Sequence, residues 1–541
     1  NHVENLASWM SNINVSGSGS SGFRDLSILT RSEDVNDRKY AAALIHSSVS
    51  SDENISFLIE LMNDINPGVR NAAFQAAAKT NKPEVIPLLI DNLSSSTYGD
   101  RAMNALIQIG NTALPFLENA FYRSGQDIET MLRILRIYGA IGNEKALELI
   151  WNKIDFPDKK VVSHVLLALG NCGFEARGTQ VTNIKFAIES DISNYTWNLN
   201  ALEVLPQDEA GRLLRNAIIE ENQRNLDHIF MLLSMIFDPH SVQLVKENIE
   251  TKTSEGITYA IELFDVFLSE DLKDKIIPLI DDILPSDKLR KLQDIFPQIQ
   301  RSFAATVKQI INRDYNQINR WTKACAIYNV GIRKWQSYNM DLIANLFNPD
   351  ALIMEITAWA IHKIDPSLYH KNIKRIPVKL RQNLNRIIEG QELDLKKFTL
   401  IKLLQNAKLF KGNSGLQLSS LVDRIELFSL NTGEIIYLNE QENKFFFLVC
   451  YGELSFRSES VMQFREGDFI GEHLQEKNNI PKIMALSKTI LLKIEKDKFY
   501  DYLINNHDMA LTMLKNLNRN LEDPVKQGLE FFSEKESELE L

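Results

Sequence analysis

The most regular feature of the chain is an apolar pair, followed after two residues by an aliphatic one. It occurs as Ala43-Leu44, Ala76-Ala77, Ala105-Leu106, Ile137-Tyr138 and Val165-Leu166. It continues as Ala201-Leu202, Leu232-Leu233, Ala260-Ile261, Ala326-Ile327 and Ala360-Ile361. Successive pairs stand about 28 to 36 residues apart, and the one gap near twice that length holds a weaker candidate at Leu292-Gln293. A period of this size is the mark of a solenoid.

Within each period the spacing predicts two antiparallel helices. After Pro83, the residues Ile86, Leu89, Ile90 and Leu93 fall at i, i+3, i+4 and i+7; Ala102, Ala105, Leu106 and Ile109 do the same in a helix beginning near Asp100. A two-helix unit of this size cannot bury its stripe alone, so neighbouring units must stack into one continuous core. Three units end alike, in Ile109-Gly110-Asn111, Ile141-Gly142-Asn143 and Leu169-Gly170-Asn171, where glycine is suited to a left-handed helix cap. Asn66-Pro67 supplies an N-cap and a first-turn proline. The run Asn66-Pro67-Gly68-Val69-Arg70-Asn71-Ala72-Ala73 resembles the "P-x-V-R-x-x-A" helix opening of the HEAT-repeat family in its short bacterial form. The resemblance covers roughly residues 30 to 365, is looser after about 180, and implies a concave face offered to a protein partner.

Between about 366 and 400 the pattern breaks. His370, Lys371, Lys374, Arg375, Lys379, Arg381 and Arg386 gather around Pro377. Such a run is either a solvated helix face linking two domains or a contact for an acidic partner or lipid headgroups.

After about 415 the period becomes strand-like. Phe445 to Cys450 is a short bulky run, and Ile435 to Leu438, Leu454 to Phe456 and Ile490 to Ile494 are further strands. Turn signals separate them at Asn431-Thr432-Gly433, Tyr451-Gly452-Glu453 and Glu466-Gly467-Asp468. Short strands at this spacing predict a sandwich or barrel. Two helices are expected next, at about 496 to 505 and 508 to 521, and then an acidic tail.

The order of these pieces resembles the cyclic-nucleotide-binding domain family. Leu409-Phe410 is similar to its "P-L-F-x-G" helix, and Thr432-Gly433-Glu434-Ile435-Ile436 to its "P-G-E-x-I-x". Phe446-Phe447-Leu448-Val449 with Gly452-Glu453-Leu454 resembles "Y-x-I-x-x-G-x-V", and Gly467-Asp468-Phe469-Ile470-Gly471-Glu472 resembles "G-D-x-F-G-E". In nucleotide-binding members, the resemblance implies, the cassette after "G-E" supplies a Glu to the ribose, backbone N–H groups to the phosphate and an Arg to its charge. Here Gly471 and Glu472 are retained, but "A-L-L-x-x-x-P-R-x-A" is not. Aligning backward from Ala485-Leu486 puts Asn479 at the Arg position, and aligning on Pro481 puts Lys482 there. Neither offers the planar fork of arginine. We therefore expect a degenerate cassette at Gly471, Glu472, Asn479 and Lys482 and no bound cofactor, with cyclic nucleotide the disfavoured alternative.

Composition narrows the function class. The formal charge of −11 argues against broad nucleic-acid binding, which needs surplus Lys and Arg. No run of about 18 apolar residues predicts a membrane span. The three cysteines, Cys172, Cys325 and Cys450, are far apart. They read as small buried residues in a reducing compartment, with neither a metal site nor a disulfide framework expected. No H-E-x-x-H, G-x-x-x-x-G-K-[ST] or strand-bounded G-x-G-x-x-G occurs, and the closest histidines, His362 and His370, are eight residues apart. An enzyme is not expected. The chain opens Asn1-His2 rather than with Met, so loss of an upstream segment is expected, and its first residues lack the pattern of a signal peptide.

The reading is a mainly α chain, an α-α superhelix followed by a small β-barrel or jelly-roll domain. Its expected parts are a flexible segment over 1–29, which includes the Ser16 to Gly22 linker, a solenoid over 30–365, a basic helical linker over 366–400, a cyclic-nucleotide-binding-like domain over 401–525 and an acidic tail over 526–541. Helical repeats followed by this domain resemble the soluble extension associated with bacterial nucleotide transporters of the ATP/ADP-translocase type. That resemblance implies a regulatory or scaffold role at the cytoplasmic side of a membrane transporter.

Overall fold

The computed structural model describes residues 21–47, 52–80, 82–95, 97–389, 396–438, 442–457, 461–470, 482–504 and 506–517. They belong to two compact units, Asn1–Phe174 and Glu175–Leu541. The expected acidic tail over 526–541 and residues 1–20 of the expected flexible segment lie outside the described residues. Residues 21–29 do not extend that segment. Helix Ser21–Thr30 already runs through them, with Leu26 buried.

The regular elements of the first unit's described residues are all helices. Its helices are Ser21–Thr30, Val35–Ser47, Asp52–Met62, Pro67–Thr80, Ile86–Asp91, Gly99–Ile109, Leu114–Phe121, Ile128–Ile141, Glu144–Trp151 and Lys159–Asn171. The apolar pairs at 76–77, 105–106, 137–138 and 165–166 are all buried, as are Ile86, Leu89, Ile90 and Leu93. The first pair is displaced by one residue: Ala41, Ala42 and Ile45 are buried while Ala43 is exposed, because Ala41-Ala42 falls on the inward face and Ala43-Leu44 on its flank.

Local chemistry sets the helix ends. Asn66 caps Pro67–Thr80, its side-chain oxygen accepting from the amides of Gly68 (2.9 Å) and Val69 (3.3 Å). Gly142 has φ 60° and ψ 8°, the left-handed cap expected of it, and the next residue, Asn143, starts another helix by accepting from Ala146 (3.0 Å). Asn143 also donates to Asn111, its counterpart one repeat earlier, at 2.6 Å, so the shared Gly-Asn ending is a contact between repeats as well as a cap. Gly170 does not play the same part. Helix Lys159–Asn171 runs through it, and the left-handed residue is Gly173.

The second unit opens with two helices of 25 residues, Thr179–Glu203 and Glu209–Leu233, much longer than those of the repeats before them. Their shared face is apolar but crossed by a polar seam. Asp191 accepts from the His228 ring nitrogen Nδ1, Asn198 donates to Asn222 at 2.9 Å, and Glu221 accepts from the amide of Asn319. All six residues are buried. Shorter helices follow to Ala351–Ile364, and then Pro366–Asn372 and Val378–Glu389 lie across the basic stretch. Tyr369, Ile373, Ile376 and Leu384 anchor that stretch in the core, so it is seated rather than strung between domains.

The strands form two four-stranded antiparallel sheets. One has the order β1 (Ile425–Leu430), β8 (Thr489–Glu495), β3 (Phe445–Tyr451), β6 (Phe469–Ile470); the other β2 (Ile435–Tyr437), β7 (Lys482–Ala485), β4 (Leu454–Arg457), β5 (Val461–Phe464). Leu430, Ile436, Phe447, Val449, Leu454, Phe456, Phe464, Ile470, Ile483, Ala485 and Leu491 pack into one core cluster between them. The other face of the first sheet, with Phe446, Leu448, Leu492 and Ile494, packs against helices. Burial on both faces accounts for the unbroken apolar run at 445–450. The turn glycines Gly433, Gly452 and Gly467 have φ of 87°, 94° and 86°, the left-handed turns that the sequence predicted.

Candidate functional site

Residues 471–481, which include Gly471, Glu472 and Asn479 of the expected cassette, lie outside the described residues. Their attachments are described. They lead from β6, in one sheet, to β7, in the other. β6 is held at Phe469 and Ile470 by pairing with Leu448 and Phe447. Before it, Asp468 closes the turn by accepting from the Arg465 amide (2.8 Å) and ion-pairs with Lys408 (3.2 Å). Phe469 packs against Phe446, ring centres 5.0 Å apart. The "G-D" half of the motif therefore stabilises a turn and a strand end.

Lys482 is the one cassette candidate with a described place. It is the first residue of β7, whose alternation buries Ile483 and Ala485 and leaves Lys482 exposed. Its register partner is Tyr437 on β2, and its ammonium lies 5.5 Å from that ring's centre, a cation–π contact on the side of the sheet away from the inter-sheet core.

A second constellation, absent from the sequence reading, joins the β-domain to the helices before it. Two glutamates cap helices that are not their own. Glu220, on Glu209–Leu233, accepts from the amide of Gly415 (3.1 and 3.3 Å), the first residue of helix Gly415–Leu421. Glu355, on Ala351–Ile364, accepts from the amide of Lys397 (2.8 Å), the first residue of helix Lys397–Asn406. A helix N-terminus presents unpaired N–H groups and a partial positive charge, so a carboxylate suits it. Burial nevertheless pushes both carboxyls up to about 7, against the pull of those amides.

Around the caps lies a charged frame. Arg320 ion-pairs with Asp350 (3.0 Å) and Asp423 (2.6 Å), Lys397 with Asp423 (3.0 Å), and Lys402 with Glu209 (2.8 Å). Burial raises the Asp423 carboxyl, but Arg320 and Lys397 outweigh it and hold the group below the usual carboxylate range. Phe398 stacks between Trp321 (5.0 Å) and Tyr328 (4.8 Å). Gly415 leaves no room for a side chain: a Cβ there would meet Trp321 Nε1 at 2.0 Å. One hydrophobic cluster runs without a break from Ala201 through Trp321 and Ile361 to Phe410, Leu492 and Met513. The β-domain and the preceding helices thus share a core. The sequence signal was faint: Glu355 is a lone carboxylate in the apolar run Leu352-Ile353-Met354-Glu355-Ile356, a pattern that more often marks a solvent-facing position.

A cleft of about 250 Å³ lies nearby, lined by Asn406, Ala407, Val449, Cys450 and Glu466 among others. Burial pushes the Cys450 thiol up to about 12, so it stays protonated and a poor nucleophile. Cys325 is buried as well, whereas Cys172 is only half-buried and donates to the Gly139 carbonyl at 3.2 Å. No cluster of metal-ligating residues and no helix long and apolar enough to cross a membrane occurs among the described residues.

The family model for HEAT repeats matches residues 26–110, and no curated protein matches the chain. Among solved structures, the sensor domain of the transcriptional regulator DNR from Pseudomonas aeruginosa is 19% identical, covering 24% of this chain and 93% of that one, with a TM-score of 0.21. The N-terminal domain of a transcriptional regulator from Streptomyces coelicolor A3(2) is 15% identical, over 23% and 93%, with a TM-score of 0.19. The regulatory subunit of a cAMP-independent protein kinase A from Trypanosoma brucei is 18% identical, over 26% and 56%, with a TM-score of 0.19. Likenesses this weak carry no conclusion about what the chain binds. The chain is a helical-repeat protein with a small two-sheet domain at its C-terminal end.

Proposed function

We propose that this chain is a non-enzymatic regulatory scaffold. Its helical repeats bind a protein partner along their concave face, and its two-sheet domain, a jelly roll of the cyclic-nucleotide-binding type, has kept the fold without the ligand. The observation that carries this reading is the shared core at Trp321, Phe398 and Gly415, which makes the β-domain a fixed part of the helical body. The outward, tyrosine-paired Lys482 supports the loss of the phosphate site. A cytoplasmic place beside a nucleotide transporter fits this role, with the transport chemistry in the partner.

The alternative is a cyclic-nucleotide sensor. The shared core favours it too, because a ligand held by 471–481 would act on β6 and β7 and, through them, on the helices. Titration of the full chain with cyclic AMP and cyclic GMP separates the two readings. Absence of heat and of any thermal shift at millimolar nucleotide is the scaffold outcome. Micromolar binding abolished by Glu472→Ala would establish the sensor and overturn the degenerate cassette.

A further inference from the structure

From Pro366 to Ile388 the sequence has six Lys or Arg and no Asp or Glu, in a chain whose net charge is −11. Several cations elsewhere in the same unit are matched by carboxylates, as in Lys185–Asp271, Lys275–Glu189 and Lys402–Glu209. Lys371, Lys374, Lys379 and Arg381 have no carboxylate partner among the described residues. Arg375 lies over the Phe347 ring at 4.7 Å. The three lysines are exposed.

Two apolar side chains stand among these charges. Val378 is 58% exposed and Leu380 43% exposed, both in the first turn after Pro377. The platform beneath is firm: Tyr369, Ile373, Ile376 and Leu384 are buried, and the Tyr369 hydroxyl donates to Asn385 at 2.8 Å, tying helix Pro366–Asn372 to Val378–Glu389. Lys371, Lys374 and Lys379, with Val378 and Leu380, thus stand exposed on a buried platform.

We propose that this surface docks on an anionic lipid bilayer, its lysines and arginines at the headgroup phosphates and Val378 and Leu380 in the interfacial layer. An acidic protein would answer the charges but leave the exposed Val378 and Leu380 without a use, whereas a lipid interface takes both. Nucleic acid would likewise answer the charges and leave Val378 and Leu380 without a use. The proposal uses none of residues 471–481 and stands whether or not they take a nucleotide.

Vesicle flotation with the full chain tests it. The protein should float with phosphatidylcholine vesicles carrying about a third phosphatidylglycerol, stay behind with phosphatidylcholine alone, and be released by high salt. Each of Lys374→Gln and Lys379→Gln should lower the partition about fivefold, and Val378→Ser with Leu380→Ser should lower it again. These changes touch exposed side chains, so unchanged thermal unfolding distinguishes lost binding from lost fold. Failure to float with the anionic vesicles, or flotation indifferent to the lysine changes, would overturn the proposal. Capture by polyglutamate without flotation would also overturn it, in favour of an acidic protein partner.

Discussion

Asp191 and His228 are buried opposite each other on the two 25-residue helices, and the His228 Nε2 has no partner. So placed, the pair helps to set the register of the two helices. His228→Leu takes a hydrogen bond from a buried carboxylate and should cost about 2 kcal/mol. Chemical denaturation of the variant checks this, and an unchanged midpoint would refute it. Sequence reading missed the seam for a physical reason. Asn, Asp and Glu at helical spacing mark a solvent face in most helices, and only the long antiparallel partner brings Asn222 to Asn198. By contrast, Gly433, Gly452 and Gly467 were legible, since positive φ leaves glycine little competition.

Among elements, those with a repeated environment were the easiest to read. The stacked helices of the first unit each meet the same neighbours, so their stripes recur, and β3 is apolar throughout because both of its faces are covered. β1, β5, β6 and β7 were missed. β1 is an edge strand of only half-buried alternation, β6 has two residues, and β7 falls within the segment read as a cassette. The glutamate caps could not be read at all, because each acts on a helix some 40 to 195 residues away. Their titration has a definite sign. Both carboxyls are raised from an ordinary value of 4.5 to about 7, so the folded second unit binds protons more readily than the unfolded chain. That contribution is complete below about 4.5 and is lost as pH rises to about 7. Glu221 faces Glu220, and Lys397, Asp423 and Arg320 face Glu355. Asp423, held low, loses its contribution only under acid conditions, outside this window. Glu220→Gln and Glu355→Gln should therefore raise the melting temperature at pH 8, leave it nearly unchanged at pH 5, and flatten the slope between. Parallel melting curves for the variants and the parent across this range would contradict the assignment.

For the molecule as a whole, the change from helices to strands after about residue 415 was legible, but it is not a boundary of compactness. Residues 175–541 form one compact unit, and the hydrophobic cluster passes through the change in secondary structure. A chain of residues 175–541 should unfold in a single cooperative step seen alike by far-ultraviolet dichroism and tryptophan fluorescence. Two separate transitions would show that the shared core is not cooperative.

Gly415, pressed against Trp321, carries this point into the laboratory and into descent. A gene divided where the fold class changes would give two products, each with an apolar wound where the other had lain, and each prone to aggregate. A division at residue 174 would open no such wound within the shared core. A β-domain moved alone into another protein would leave behind its Trp321 contact and the carboxylates of Glu220 and Glu355 that cap its leading helices.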